Sequence, residues 1–486
     1  MSKKNSQKSS QEGITVKKGE NFSEWYQQLI LKASLADYSS VSGCIVFRPE
    51  SYSIWEKIVS ELNKEFKKAG IKNCYFPLFI PEKSFEKEKE HVEGFTPEVA
   101  WVTQAGNTKL NEKLAVRPTS EAIMYESYSK WIRSWRDLPL RYNQWNNVVR
   151  WEFNNPVPFF RTREFLWNEG HSVFATEKEA LEEGVQIRKI YEKVVEGLMA
   201  LPGIYGRKTE KEKFAGAVYS EKIHYIIPNG RVIEGPCFHH DGQNFAKSYG
   251  IKFLDKNGKE EFAWQNTYAI STRMLGTMFA IHSDDRGLVI PPKLSENKIV
   301  IVPILFDKTK GKILKISEKI KKDLEEFSPI LDNREDSSPG WKFSEWELKG
   351  IPVRIEIGPK DLEKNSVTIV KRNDSKKIEI KINQLNKEIP KLLEQIQKEL
   401  YKNAEKILNS NIKKTENKKD MLKIIKEKEV AIVPMCSSEK CEDILKEETG
   451  GAKTLFIDPK NTSAKGKKCI ICGKPADYFV YVGKTY

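Results

Sequence analysis

Two short-spaced cysteine pairs constrain the fold of this chain more than any other feature. They are Cys436-x4-Cys441 and, 27 residues on, Cys469-x2-Cys472. Pairs at such spacings can bring four thiolates to one tetrahedral point, the donor set of zinc. Four protein ligands leave no open coordination position, so such a site is structural rather than catalytic. The second pair lies in Cys469-Ile-Ile-Cys472-Gly-Lys, a short knuckle-like turn. Four unrelated buried thiols are the alternative. The odd total of seven cysteines, behind a polar, lysine-rich N-terminus, argues against a disulfide framework and a secretory signal.

The 486 residues suggest about three domains. Residues 1–20 read as a disordered tail, since Ser, Lys, Gln and Gly dominate there. Helical periodicity runs over Asn21–Asp37 and Tyr52–Ala69, and a helix is expected over Glu177–Leu198. Cys74–Ile80, Val148–Phe153 and Arg163–Trp167 read as strands. The pattern changes at Pro291-Pro292, a domain boundary. Beyond it, strands at Ile299–Leu305, Val353–Ile357 and Ser366–Lys371 alternate with helices at Lys310–Phe327 and Pro390–Leu408, which predicts an α/β domain. No apolar run reaches the roughly 18 residues of a membrane-spanning helix. A cytoplasmic location with no membrane partner is expected. The 82 basic residues against 68 acidic ones favour a polyanionic partner, with solvated lysine faces as the bland alternative.

Four further blocks carry chemistry. In Arg150-Trp-Glu152 followed by Arg161-Thr-Arg-Glu-Phe165, arginines beside an aromatic suit a nucleotide: guanidinium for phosphate, ring face for base. Tyr268–Ser271 reads as a strand feeding a helix with Arg273 at its start, where free N–H groups and a cation attract phosphate. Arg117-Pro-Thr119-Ser-Glu121 offers a hydroxyl and a carboxylate to a small cationic substrate, although Thr119 could equally cap a helix. In Cys237-Phe-His239-His240 the adjacent histidines point to opposite faces of a strand, which disfavours a metal there. Walker and dinucleotide-binding glycine loops are absent from the sequence. Alone, the first of these blocks is also compatible with a sheet face carrying surface salt bridges, and the second with a helix-start arginine on the surface.

Together these blocks resemble those of the class II aminoacyl-tRNA synthetases, and in particular the prolyl-tRNA synthetase family. Gly70–Glu82, Val148–His171 and Ser271–Pro292 are similar to its motifs 1, 2 and 3. Glu356-Ile-Gly-Pro-Lys-Asp361 and the terminal Tyr486 also match its wording, and the resemblance runs from about residue 21 to the end. It implies an α+β chain: an antiparallel-sheet catalytic domain at 21–290, an α/β anticodon-binding domain at 291–405 and a small zinc-binding domain at 406–486. It further implies ATP-dependent activation of L-proline, transfer to tRNA(Pro), a homodimer, Mg²⁺ accompanying ATP, and structural Zn²⁺ on Cys436, Cys441, Cys469 and Cys472.

By the same resemblance Arg150, Arg161 and Arg273 are the catalytic cations. The ATP site adds Glu152, Thr162, Phe165, Glu234, Cys237 and Ser271, with Phe165 against adenine. Thr119 and Glu121 receive the proline ammonium, Arg150 its carboxylate, and Trp167, Glu169, Phe214 and His239 line the ring pocket. Arg354 and Glu356 would read the anticodon, with a strand salt bridge as the alternative. About 100 residues separate motifs 2 and 3, too few for an inserted editing domain. The chain departs from the family where Gln is usual at Glu234, Thr at Cys237 and Trp-Gly at Tyr268-Ala269. Glu234 remains able to ligate Mg²⁺, and the Ala269 methyl is expected to crowd the substrate. The competing readings are a non-catalytic paralogue acting as an RNA-binding module and a ligase of this class for another amino acid.

Overall fold

The computed structural model describes residues 13–84, 98–152 and 155–486. Among the described residues the main sheet of the first domain has seven strands: β1 (Lys72–Asn73), β2 (Leu140–Val149), β3 (Glu164–Phe174), β4 (Ile204–Arg207), β5 (Tyr219–Ile226), β6 (Val232–Gly242) and β7 (Trp264–Ser271). Their spatial order is β1-β2-β3-β7-β6-β5-β4, antiparallel except for the β1–β2 pair.

The two-residue period of the strands sorts core from site. Phe238, Tyr268 and Ile270 point into the main core, where they meet Phe66, Ile187, Tyr191 and Met278. Those core residues come from the helices α1 (Pro49–Lys68), α2 (Glu177–Met199) and α3 (Arg273–His282). The residues between, Cys237 and His239 on β6 and Thr267, Ala269 and Ser271 on β7, therefore face the other side, where they line a cavity. Gly170 on β3 permits this packing, because a Cβ there would lie 1.9 Å from the Tyr268 ring.

After Pro291-Pro292 a second sheet takes the order Ile330–Leu331, Ile299–Pro303, Val353–Ile357, Ser366–Lys371, Lys377–Lys381, the first three parallel and the rest antiparallel. A third sheet holds β8 (Val430–Met435), β9 (Lys453–Ile457) and β10 (Tyr478–Gly483), with Ile412–Lys414 at its edge. The helix α4 (Glu439–Glu448) belongs to this last unit. Ile226, Val232, Leu408, Leu455, Phe456 and Tyr481 form one apolar cluster that joins it to the first sheet.

Several expectations change in detail. Of the tail at 1–20, residues 1–12 lie outside the described residues; within 13–20, Ile14, Val16 and Lys18 are half-buried and the rest exposed. The Lys18 ammonium donates to Ser283 O (2.7 Å) and Ile281 O (3.2 Å), carbonyls at the open C-terminal end of α3. The first helix is shorter than Asn21–Asp37, covering Phe22–Lys32; Ser34 then turns left-handed and Ala36–Tyr38 pairs as a strand. Cys74–Ile80 is strand only from Phe79, and β2 ends at Val149, so Arg150–Glu152 leave the sheet; Phe153 lies outside the described residues. The helix expected from Pro390 begins at Leu385 and runs through the 405–406 boundary to Ser410. Pro390 removes one backbone bond near the helix start, while Leu385, Ile389 and Leu393 keep that end buried.

Candidate active site

The open face of the first sheet holds a cavity of about 260 Å³ with an anionic end and a cationic end. At the anionic end, Glu121 and Glu169 are both buried. Glu169 accepts from neutral donors: Ser120 N–H (2.9 Å), Thr119 Oγ1 (3.1 Å), Asn146 Nδ2 (2.7 Å), Gln144 Nε2 (3.3 Å) and the Ser120 hydroxyl (2.5 Å). The Thr119 hydroxyl lies equally within hydrogen-bond reach of Glu121, so its single proton is shared between the two carboxylates. Thr119 is therefore not a helix cap: the capping position of Glu121–Trp131 is Ser120, and it makes no side-chain cap bond. Two buried carboxylates held by neutral groups make a receptor for a small cation.

At the cationic end, Arg150 donates from Nε to Pro118 O (3.0 Å) and lies over the rings of Phe165 (5.6 Å) and Trp167 (5.2 Å). Arg273 opens α3 and donates to Phe160 O (3.2 Å). Burial, with Arg150 and Arg161 close by, lowers the Arg273 guanidinium pKa. Clustered guanidinium groups at a helix N-terminus favour a polyanion between them.

Of the sequence-derived candidates, the cavity wall holds Thr119, Glu121, Arg150, Phe165, Trp167, Glu169, Phe214, Glu234, Cys237, His239, Ser271 and Arg273. Glu152 is exposed and Thr162 buried, and neither lines it; nor does Arg161, which lies within charge range of Arg273. His239 is held by Ser220 Oγ (2.7 Å), and burial pushes its pKa down to about 3, so it is neutral. His240 faces away and bonds Asn266 (2.8 Å).

Sequence reasoning missed Lys222. Pairing register sets it opposite Cys237, and a register in a long hairpin is not written in local sequence. Its ammonium binds Glu234 Oε2 at 2.6 Å, while Lys208 binds Oε1 at 2.7 Å. Burial would raise the Glu234 pKa, but Lys222 and Lys208 override it and hold the carboxyl well below its usual range. Both oxygens are thus bonded to ammonium groups, so Glu234 would have to exchange a lysine to ligate Mg²⁺.

Two outlying sites complete the picture. The sulfurs of Cys436, Cys441, Cys469 and Cys472 all lie within 4.8 Å of one another, with Cys436–Cys441 at 3.5 Å and Cys436–Cys472 at 3.8 Å. Tetrahedral zinc with bonds of about 2.3 Å sets its sulfurs about 3.8 Å apart, so the donor set fits the ion. Arg354 and Glu356 are buried and bonded to each other at 2.9 Å, and Arg354 also reaches Glu347 (3.1 Å) beneath the Phe343 ring (4.3 Å).

Three family models match in chain order: the tRNA synthetase class II core domain (G, H, P, S and T) over residues 95–282, the anticodon binding domain over 298–392, and the prolyl-tRNA synthetase C-terminal domain over 418–486. The cytoplasmic proline–tRNA ligase of Arabidopsis thaliana is 43% identical across 100% of this chain and 93% of its own length. This chain belongs to the prolyl-tRNA synthetases. The proline–tRNA ligase of Natranaerobius thermophilus is also 43% identical, over 93% of this chain and 94% of that protein. A crystal structure of prolyl-tRNA synthetase from Cryptosporidium parvum, complexed with halofuginone and AMPPNP, superposes with a TM-score of 0.92 at 41% identity, covering 98% of each chain. The synthetase is thus an ATP-dependent ligase, and the domain that carries Arg150, just past β2, and Arg273, at the start of α3, is its class II core.

Proposed function

We propose that this synthetase forms prolyl-adenylate in the cavity between Glu121 and Arg273 and then transfers the prolyl group to tRNA(Pro). The observation that carries the reading is the pairing of opposite charges across one small space: buried Glu121 and Glu169 at one end, Arg150 and Arg273 at the other. Proline has that polarity, with a secondary ammonium on one side of its ring and a carboxylate on the other. Thr119 and Glu121 take the ammonium; Trp167, Phe214 and His239 flank the ring. Arg150 draws the carboxylate towards the α-phosphorus, and a carboxylate oxygen attacks it as pyrophosphate leaves. Arg161 and Arg273 hold the outer phosphates, and Glu152, Thr162, Phe165, Cys237 and Ser271 surround the nucleoside. The terminal ribose hydroxyl of the tRNA then attacks the prolyl carbonyl and AMP departs. Little proton chemistry falls to side chains, so positioning and charge stabilisation carry the rate. Mg²⁺ with ATP neutralises phosphate charge.

The four cysteines would hold a structural zinc, which supplies folding energy to the last domain. Anticodon reading by Arg354 and Glu356 requires Arg354 to exchange Glu347 for a guanine edge. Exposed Tyr75 (70%) and Phe79 (45%) within the motif 1 segment support a homodimer through that surface. A cytoplasmic location follows the Arabidopsis relative.

The test is amino-acid-dependent ATP–pyrophosphate exchange with all twenty amino acids, without tRNA. Exchange strongest with proline is expected; none with proline overturns the reading. Arg150→Ala abolishes exchange while tRNA binding persists.

A further inference from the structure

The wall of the cavity that carries Phe214 is held from outside the catalytic domain. The loop joining β4 to β5 runs from Lys208 to Val218, and between Thr209 and Lys213 its backbone bonds are local: the Glu212 and Lys213 N–H groups donate to Thr209 O (3.2 and 3.0 Å). Besides the Lys208–Glu234 pair, its side chains reach the C-terminal domain. Lys208 Nζ donates to Leu455 O (2.8 Å), Thr209 Oγ1 to Glu442 Oε2 (3.0 Å), and Lys453 Nζ to Glu212 Oε2 (2.6 Å), while Lys211 pairs with Asp443. Glu442 also accepts from Thr454 on β9, so one buried carboxylate ties the loop to both β9 and its own helix α4.

The loop ends in the substrate cavity. Glu212, Lys213 and Phe214 line it, the Phe214 ring lies 4.9 Å from the His239 ring, and Phe214 N–H donates to the same Ser220 Oγ that binds His239 (2.8 and 2.7 Å). Cys441 of the four-cysteine cluster immediately precedes Glu442 on α4. The helix α4 thus carries both one sulfur of the cluster and the carboxylate that holds the loop.

We infer that Glu442 is a positioning residue for amino-acid binding: through Thr209 it fixes the loop that sets Phe214 against His239, so the cysteine-bearing domain shapes one wall of the amino-acid pocket. The inference rests on the assignment of Phe214 and His239 to the proline pocket. It has a consequence that a merely structural role lacks. Loosening the clamp weakens proline binding more than ATP binding, because the arginines and Phe165 at the nucleotide end belong to other elements and Lys208, the loop's link to Glu234, keeps its own bond to Leu455 O.

The experiment compares Glu442→Ala, Glu442→Gln and Thr209→Val in the full chain. A hydrogen bond to a charged group sets the scale, so Glu442→Ala and Thr209→Val each raise the proline KM about tenfold and the ATP KM less than about twofold. Glu442→Gln keeps an acceptor for both threonine hydroxyls and restores the proline KM. The double variant Glu442→Ala/Thr209→Val is no worse than either single one. Metal content stays at the wild-type value, and the amides of residues 209–214 exchange hydrogen faster in Glu442→Ala. An unchanged proline KM in Thr209→Val, or equal losses for proline and ATP, overturns the inference. Should the wild-type show no proline-dependent exchange, the pocket assignment fails, and amide exchange of 209–214 still decides the clamp: equal protection in wild-type and variants refutes it.

Discussion

Replacing Glu234 by Gln, the residue usual in the family, destabilises this particular chain. Glu234 joins two ammonium groups, Lys208 with a side chain 1% exposed and Lys222 at 22%. Breaking a buried pair by deleting one charge costs about 3–5 kcal/mol, because the partner stays charged and buried. Gln keeps one acceptor and Lys208 also has Leu455 O, so the lower end, about 3 kcal/mol, is the appropriate figure. At about 2 °C per kcal/mol for a domain of this size, the catalytic-domain melting transition falls by about 6 °C. Glu234→Gln combined with Lys222→Met removes the extra positive charge as well and recovers at least about 1 kcal/mol of that loss. Scanning calorimetry of the two single variants and the double variant measures this coupling. A Glu234→Gln protein as stable as the wild type, or strictly additive losses, refutes the reasoning. The pH sense follows from the depressed Glu234 pKa: its contribution is complete above the ordinary carboxylate range and is lost as pH falls through the folded value.

Cys469→Ser removes one of four zinc donors, so metal analysis is expected to show the bound metal lost, with proteolysis of residues 418–486 accelerated; full metal retention counts against the four-sulfur site. Gly170→Ala forces a methyl into the Tyr268 ring and yields a chain that is insoluble or several kcal/mol less stable, read by soluble yield and melting. Burial holds the His239 pKa at about 3 and that of His282 at about 4, below their unfolded value. Their stability contribution is therefore complete above about pH 6.5 and declines as pH falls towards 4, because the unfolded chain binds protons the fold refuses. A melting temperature equal at pH 5 and pH 7 contradicts that sign.

Ordered motifs, strand-helix alternation and cysteine spacing are local in sequence, so the family and many residues of the cavity wall are legible in the sequence itself. The strand Val353–Ile357 and the start of the helix at Glu177 were legible to the residue, since pattern and capping are local too. Alternation likewise placed His239 and His240 on opposite faces. Three things depended on the tertiary structure. Register put Lys222 opposite Cys237 and made Glu234 the bridge of an ion-pair triad. Docking of the C-terminal domain brought Glu442 to Thr209 across 233 residues of chain. The buried pairing of Arg354 with Glu356 and Glu347 needed the strand and the neighbouring helix together. Sequence records which chemical groups a chain carries and how they alternate along an element; which groups meet, and so which charges are spent on each other and which stay free for a substrate, is decided by distances that exist only after the sheets pair and the domains pack.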